Sequence, residues 1–141
     1  VLHGEGRNLA RQGDVAGAVA RFEEALALEP TIATDSIYSG AWNRLCRAGV
    51  TWNQVALVLD ACETAVKLAP DDGDIRDSHG LARALTGDVA GAIEDFGFAV
   101  QRAQEFSNRA DFIESRTAWI AALRAGEYPF DAATLERLRP E

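Results

Sequence analysis

Apolar residues recur three and four positions apart along most of this chain, the spacing that gathers side chains on one face of an α-helix. Residues 13–26 read GDVAGAVARFEEAL, and Ala18, Phe22 and Ala25 share such a face. Residues 87–100, GDVAGAIEDFGFAV, repeat the pattern with Ala92, Phe96 and Ala99, and the first six residues of the two stretches are identical. Each opens on Gly-Asp, a turn residue followed by a side chain able to accept from the free N–H groups at a helix start. A third copy is fainter: Val58, Cys62, Ala65 and Pro70 stand at the spacing of Ala18, Phe22, Ala25 and Pro30. From Ala65 to Ala99 is 34 residues and from Ala25 to Ala65 is 40, so the period is 34 with six extra residues between the first and second units.

The pattern predicts seven long helices and a short one, with no strand of four residues or more. The first two cover about 2–12 and 14–28, the second closed by Glu29-Pro30. Asp35 or Ser36 caps the third, which runs through Ile37, Tyr38, Trp42, Leu45 and Cys46 and ends early at Gly49. The fourth covers 53–68, with Thr51 as cap and Val55, Val58, Leu59, Cys62 and Val66 inward. Asp74 caps the fifth, 75–86, and Asp88 starts the sixth, which reaches about Glu105. Ser107 or Asn108 caps the seventh, 109–125, which carries Phe112, Trp119, Ile120 and Leu123 and stops at Gly126. Asp131 caps a short helix, 132–138, that either folds back through Phe130, Leu135 and Leu138 or hangs free. Ala18, Phe22, Ala25, Trp42, Leu45, Cys62, Ala92, Phe96, Ala99 and Trp119 are the expected core.

A 34-residue unit with W-x-x-L, a small residue next, then A-x-x-x-F-x-x-A and Pro resembles the tetratricopeptide repeat. Trp42, Leu45 and Cys46 supply the first part in the second unit, while Gly6 and Gly80 are the small residues of the first and third. The departures are Cys62 for an aromatic, Gly49 where a large aromatic is usual, and Arg76 and Arg83 at apolar places. The resemblance covers residues 1–104. It implies an all-α, right-handed α-solenoid of three helix hairpins forming one domain, with repeats at about 1–32, 39–72 and 73–106, a capping helix at 107–126 and a short terminal helix at 130–139. More loosely, LAPDDGDIRDSHGLARALTGD and WIAALRAGEYPFD resemble repeat tails of large multidomain bacterial signalling proteins, which carry ATPase, β-propeller or protease modules elsewhere. The chain opens inside a helix without Met, so it is expected to be a fragment of a larger protein.

Composition narrows the function. With 141 residues and 48% apolar content, the chain is long enough for one continuous core. A net charge of −8 argues against a nucleic-acid partner, which would need clustered cations. No apolar run approaches the roughly 20 residues of a membrane span, and no signal peptide is visible. Cys46 and Cys62 are expected as buried, neighbouring, reduced thiols in a cytoplasmic chain. Only His3 and His79 are histidines, and the motifs of zinc sites, phosphate loops and calcium loops are missing. His79 reads as a satisfied imidazole on an inner helix face, and Asp71, Asp72, Asp74 and Asp77 as a turn and cap cluster. The expectation is no enzyme and no cofactor.

In the resembled family the first helix of each unit lines a concave face. That nominates His3, Arg7 and Ala10 from the first unit, Asn43 and Arg47 from the second, and Asp77, Leu81 and Ala84 from the third. Such a groove is basic at one end and acidic to apolar at the other. It suits an extended protein or peptide segment of mixed charge, while Asp77 opposes a clamp for a terminal carboxylate. The expected function is a non-catalytic protein–protein interaction module; the alternative is a structural spacer or self-association arm. Finally, at least one of Arg76 and Arg83 is expected to pair with a carboxylate of an adjacent helix, Glu63 or Glu114.

Overall fold

The two Gly-Asp turns fold alike. Gly13 and Gly87 take left-handed angles, φ 86° and 91°, which a residue with a Cβ adopts only at a cost. The next carboxylates accept from the helix starts, Asp14 from Gly17 N–H and Asp88 from Gly91 N–H, both at 2.9 Å. The computed structural model describes residues 2–139, with the side chains of Leu2 and His3 outside the description. Among the described residues it is all helical: α1 Leu2–Arg11, α2 Val15–Leu28, α3 Ser39–Thr51, α4 Leu59–Leu68, α5 Gly73–Leu85, α6 Val89–Phe106, α7 Ala110–Arg124 and α8 Ala132–Arg137. Consecutive helices pack as α1 on α2, α3 on α4, α5 on α6 and α6 on α7, and α3 touches both α1 and α5.

The small-and-aromatic pairs explain these contacts. A Cβ on Gly6 would sit 3.0 Å from the Phe22 ring, and one on Gly80 would sit 2.9 Å from the Phe96 ring. Glycine on one helix therefore lets the aromatic of its partner lie against backbone. All ten expected core residues are buried. Phe22 meets Trp42 at 5.4 Å, while Phe96, Trp119 and Phe130 form a second aromatic group with centroids 5.0–6.0 Å apart. Phe130 and Leu135 are 2% and 4% exposed, so the short terminal helix folds back rather than hanging free.

Several expectations are corrected. Gly49 does not end α3, which runs on to Thr51; it is glycine because a Cβ there would collide with Val58 of the facing segment. The chain turns instead at Asn53, with φ 55°. Thr51 caps nothing: its hydroxyl donates back to Arg47 and Ala48 carbonyls. Val55–Leu57 form a 3-10 turn, α4 starts only at Leu59, and Leu59 is 42% exposed rather than inward. Asp72, not Asp74, caps α5, and neither Ser107 nor Asn108 caps α7 through its side chain. The extra residues between the first two units form 3-10 turns at Pro30–Ala33 and Ser36–Tyr38, pinned where the Trp42 indole donates to the Ile32 carbonyl at 2.7 Å.

The largest correction concerns the thiols. Cys46 and Cys62 are joined in a disulfide, with Cα atoms 4.8 Å apart, so neither is reduced. The cross-link removes the support that free thiols gave to a cytoplasmic setting.

Candidate functional site

Along α1 and α3, residues three and four apart turn one row of side chains to a shared concave side. Arg7, Ala10 and Arg11 come from α1, and Asn43, Arg44, Arg47 and Ala48 from α3. Asp74, Asp77 and Ser78 of α5 continue the row, Arg109, Phe112 and Arg116 bring in the start of α7, and Trp52 and Leu138 complete a groove of about 330 Å³. Six arginines face two aspartates here, a surplus of four positive charges in a chain whose net charge is −8.

Both aspartates are already neutralised. Asp77 is 1% exposed and accepts two bonds from Arg116, at 2.9 and 2.7 Å, and one from Arg47 at 2.8 Å. Arg116 is held in place between the rings of Phe112 and Trp119, 4.2 and 4.3 Å from their centroids. Arg109 pairs with Asp74 at 2.9 Å. The expected acidic end of the groove is therefore absent as an electrostatic feature: Asp77 is a buried tie between α3, α5 and α7, not a wall that a ligand meets. Arg7, Arg11 and Arg44 are exposed and have no carboxylate partner among the described residues. In addition, Asn43 Oδ1 is buried with no hydrogen-bond partner.

The groove closes at one end where Arg139 stacks 3.6 Å over the Trp52 ring and donates to the Thr51 carbonyl. Towards the other end it continues into a second recess that shares Arg7, Ala10 and Arg44. There Phe22 and Leu45 line the interior, and Ile37 and Tyr38 of the extra turn form a wall. Ile37 is 75% exposed.

Of the residues nominated from sequence, Arg7, Ala10, Asn43, Arg47 and Asp77 come together in the groove. Leu81 and Ala84 do not: they lie in the core at 0% and 5% exposure, because the groove side of α5 is its first turns only. The His3 side chain lies outside the described residues. Arg11, Arg44, Arg109 and Arg116 were missed. Arg11 was within reach of the same logic, four residues after Arg7, and Arg116 announced itself as a charge between Phe112 and Trp119 on an apolar stripe.

A second polar cluster lies buried between α4, α5 and α6. Asp95, 1% exposed, accepts from Arg76 at 2.7 Å, lies 3.3 Å from Arg83 and binds His79 Nδ1 at 2.6 Å. The other ring nitrogen of His79 meets Glu63 at 2.7 Å. Burial works against a charged imidazole, but the hydrogen bonds to Asp95 and Glu63, with the attraction of both carboxylates, outweigh it and raise His79 above its ordinary 6.5. Burial likewise favours a neutral Asp95, yet the bonds from His79 and Arg76 and the attraction of His79 and Arg83 hold it below 3.8. Arg76 and Arg83 do pair across helices, but their shared partner is Asp95. Glu63 serves His79 instead, and Glu114 stays exposed.

Among the described residues, no group of three or more His, Cys, Asp or Glu is arranged to hold a metal ion, and no helix is long and apolar enough to cross a membrane. No family model matches the chain, and no curated protein matches it either.

Proposed function

We propose that this chain is a tetratricopeptide-like, right-handed α-solenoid that serves as a non-catalytic protein-interaction module, taking a short acidic peptide segment into its arginine groove. The 34-residue spacing and the recurring glycine–aromatic contacts support the repeat reading. One observation carries the ligand: the groove holds six of the chain's fourteen Lys and Arg but only two of its 22 acids, and both of those are paired inside it. A concave surface of one sign, set in a protein of the other, focuses attraction for an oppositely charged segment. This replaces the mixed-charge ligand expected from sequence, since Asp77 presents no free charge. A long polyanion such as nucleic acid fits less well, because beyond the groove it would run over an acidic exterior. The recess beside Arg7 and Arg44 gives room for an apolar side chain flanking the acids.

A spacer or self-association arm would have its groove filled by the chain itself. Leu138 covers only the end beside Trp52, and Arg7, Arg11 and Arg44 remain exposed. The test is fluorescence anisotropy with a labelled oligo-glutamate peptide and its oligo-lysine counterpart. The acidic peptide is expected to bind, more tightly at low salt. Arg7→Glu, Arg11→Glu and Arg44→Glu combined should weaken it about ten-fold or more, as reversing charge at an interface does. Equal binding of the lysine peptide, or indifference to the triple change, contradicts the reading.

A further inference from the structure

The disulfide stands where the other two units place a glycine against an aromatic ring. Cys46 and Cys62 are 16 residues apart, as are Gly6 and Phe22, and Gly80 and Phe96. In those units the helices approach closely because one partner has no side chain. In the α3–α4 unit both partners carry one, and the Cα atoms are nevertheless 4.8 Å apart. Unbonded sulfurs need about the separation of any non-bonded heavy atoms, roughly 3.5–4 Å. Breaking the bond therefore demands extra room for two residues that are 1% and 2% exposed.

We infer that the Cys46–Cys62 bond is a redox-controlled staple that sets the shape of the groove. Cys46 lies on α3 between Arg44 and Arg47, so a shift of α3 moves the groove wall. Cys62 precedes Glu63, whose bond to His79 ties α4 to α5. A recess lined by Leu59, Cys62, His79 and Arg83 borders Cys62, which is itself 2% exposed. In the step, one thiolate of a dithiol reductant attacks the Cys62 sulfur, the S–S bond breaks, and Cys46 leaves as a thiolate that takes a proton. The second thiol of the reductant then closes on the mixed disulfide and releases Cys62; two electrons have passed, and the reductant is a disulfide. The two cysteines, once reduced, spread apart, α3 and α4 separate at this level, and Arg44 and Arg47 move with α3. The consequence for binding rests on the acidic-ligand reading above.

The experiment compares oxidised and dithiothreitol-reduced protein by thermal unfolding, amide hydrogen exchange and oligo-glutamate affinity. Reduction is expected to lower the unfolding midpoint by on the order of 10 °C, as loss of a loop-closing bond does, and to speed exchange in α3 and α4. The affinity is expected to fall about five-fold, the low end of coupling between sites. The double variant Cys46→Gly with Cys62→Phe, which recreates the pair of the other units, should ignore the reductant. Two free thiols in protein denatured without reductant, or equal midpoints and exchange in the two states, overturn the inference. A lowered midpoint with unchanged affinity overturns its coupling to the groove. Should the peptide bind neither form, the acidic-ligand reading fails, and midpoint and exchange still decide whether the staple exists.

Discussion

Asp77 and Asp95 are each 1% exposed, and each is met by two arginines. Burying a carboxylate is tolerable only when charge partners and hydrogen bonds replace its water, and removing one partner of such a set costs about 3–5 kcal/mol. Asp95→Asn removes the buried charge partner of Arg76, Arg83 and His79, so a loss of that order is expected in urea titrations. The pH dependence follows from the two shifts. His79 is raised in the folded state, so its contribution is complete below 6.5 and is lost as pH rises through the raised value. Asp95 is lowered, so its contribution is complete above 3.8 and is lost as pH falls through the lowered value. Stability from this cluster should peak between those limits, and the decline on the alkaline side should shrink in Asp95→Asn. An unchanged alkaline decline in that variant would show that His79 does not depend on Asp95. Arg76 and Arg83 were legible in the sequence as breaks in an apolar pattern; their partner was not. The first copy has Arg21 at the position of Asp95, partly exposed and paired with glutamates, so the repeat gave no hint of a buried acid.

At the scale of elements, the helices and their order could be read from apolar spacing and the Gly-Asp turns, because those signals are local. What escaped was set across helices. Gly49 looked like a helix stop, since glycine often is one, yet its reason lies in Val58 on the facing segment. Val58 is 1% exposed and β-branched, so it cannot swing aside. Gly49→Ala gains roughly 1 kcal/mol in helix propensity but overpacks the contact, at about 1–3 kcal/mol. A net loss of stability is expected by urea titration, while Gly40→Ala, whose Cβ would meet only the Arg44 side chain at 3.9 Å, should be neutral or stabilising. Stabilisation by Gly49→Ala would mean that α3 and the Val58 segment are not in tight contact. The cysteines escaped for a related reason. Their placement at the glycine and aromatic positions was visible, but whether two inward thiols bond depends on how closely α3 and α4 approach.

For the whole molecule, net charge was a poor guide. A count of −8 hides a groove with four surplus positive charges, because folding gathers arginines from α1, α3 and α7 while most acids stay outside. Arg7 and Arg47 were legible as groove cations, but Asp77 read as a free groove charge; Arg47 and the Arg116 that α7 brings in both pair with it. The arginine groove is expected to take the acidic segment. The direct measurement is a two-dimensional amide NMR titration of the oxidised protein with the oligo-glutamate peptide. Shifts concentrated at Arg7, Arg11, Asn43, Arg44 and Arg47, saturating together and weakening with salt, are the predicted result. Shifts scattered over α2, α4 and α6 with the groove unmoved would contradict it.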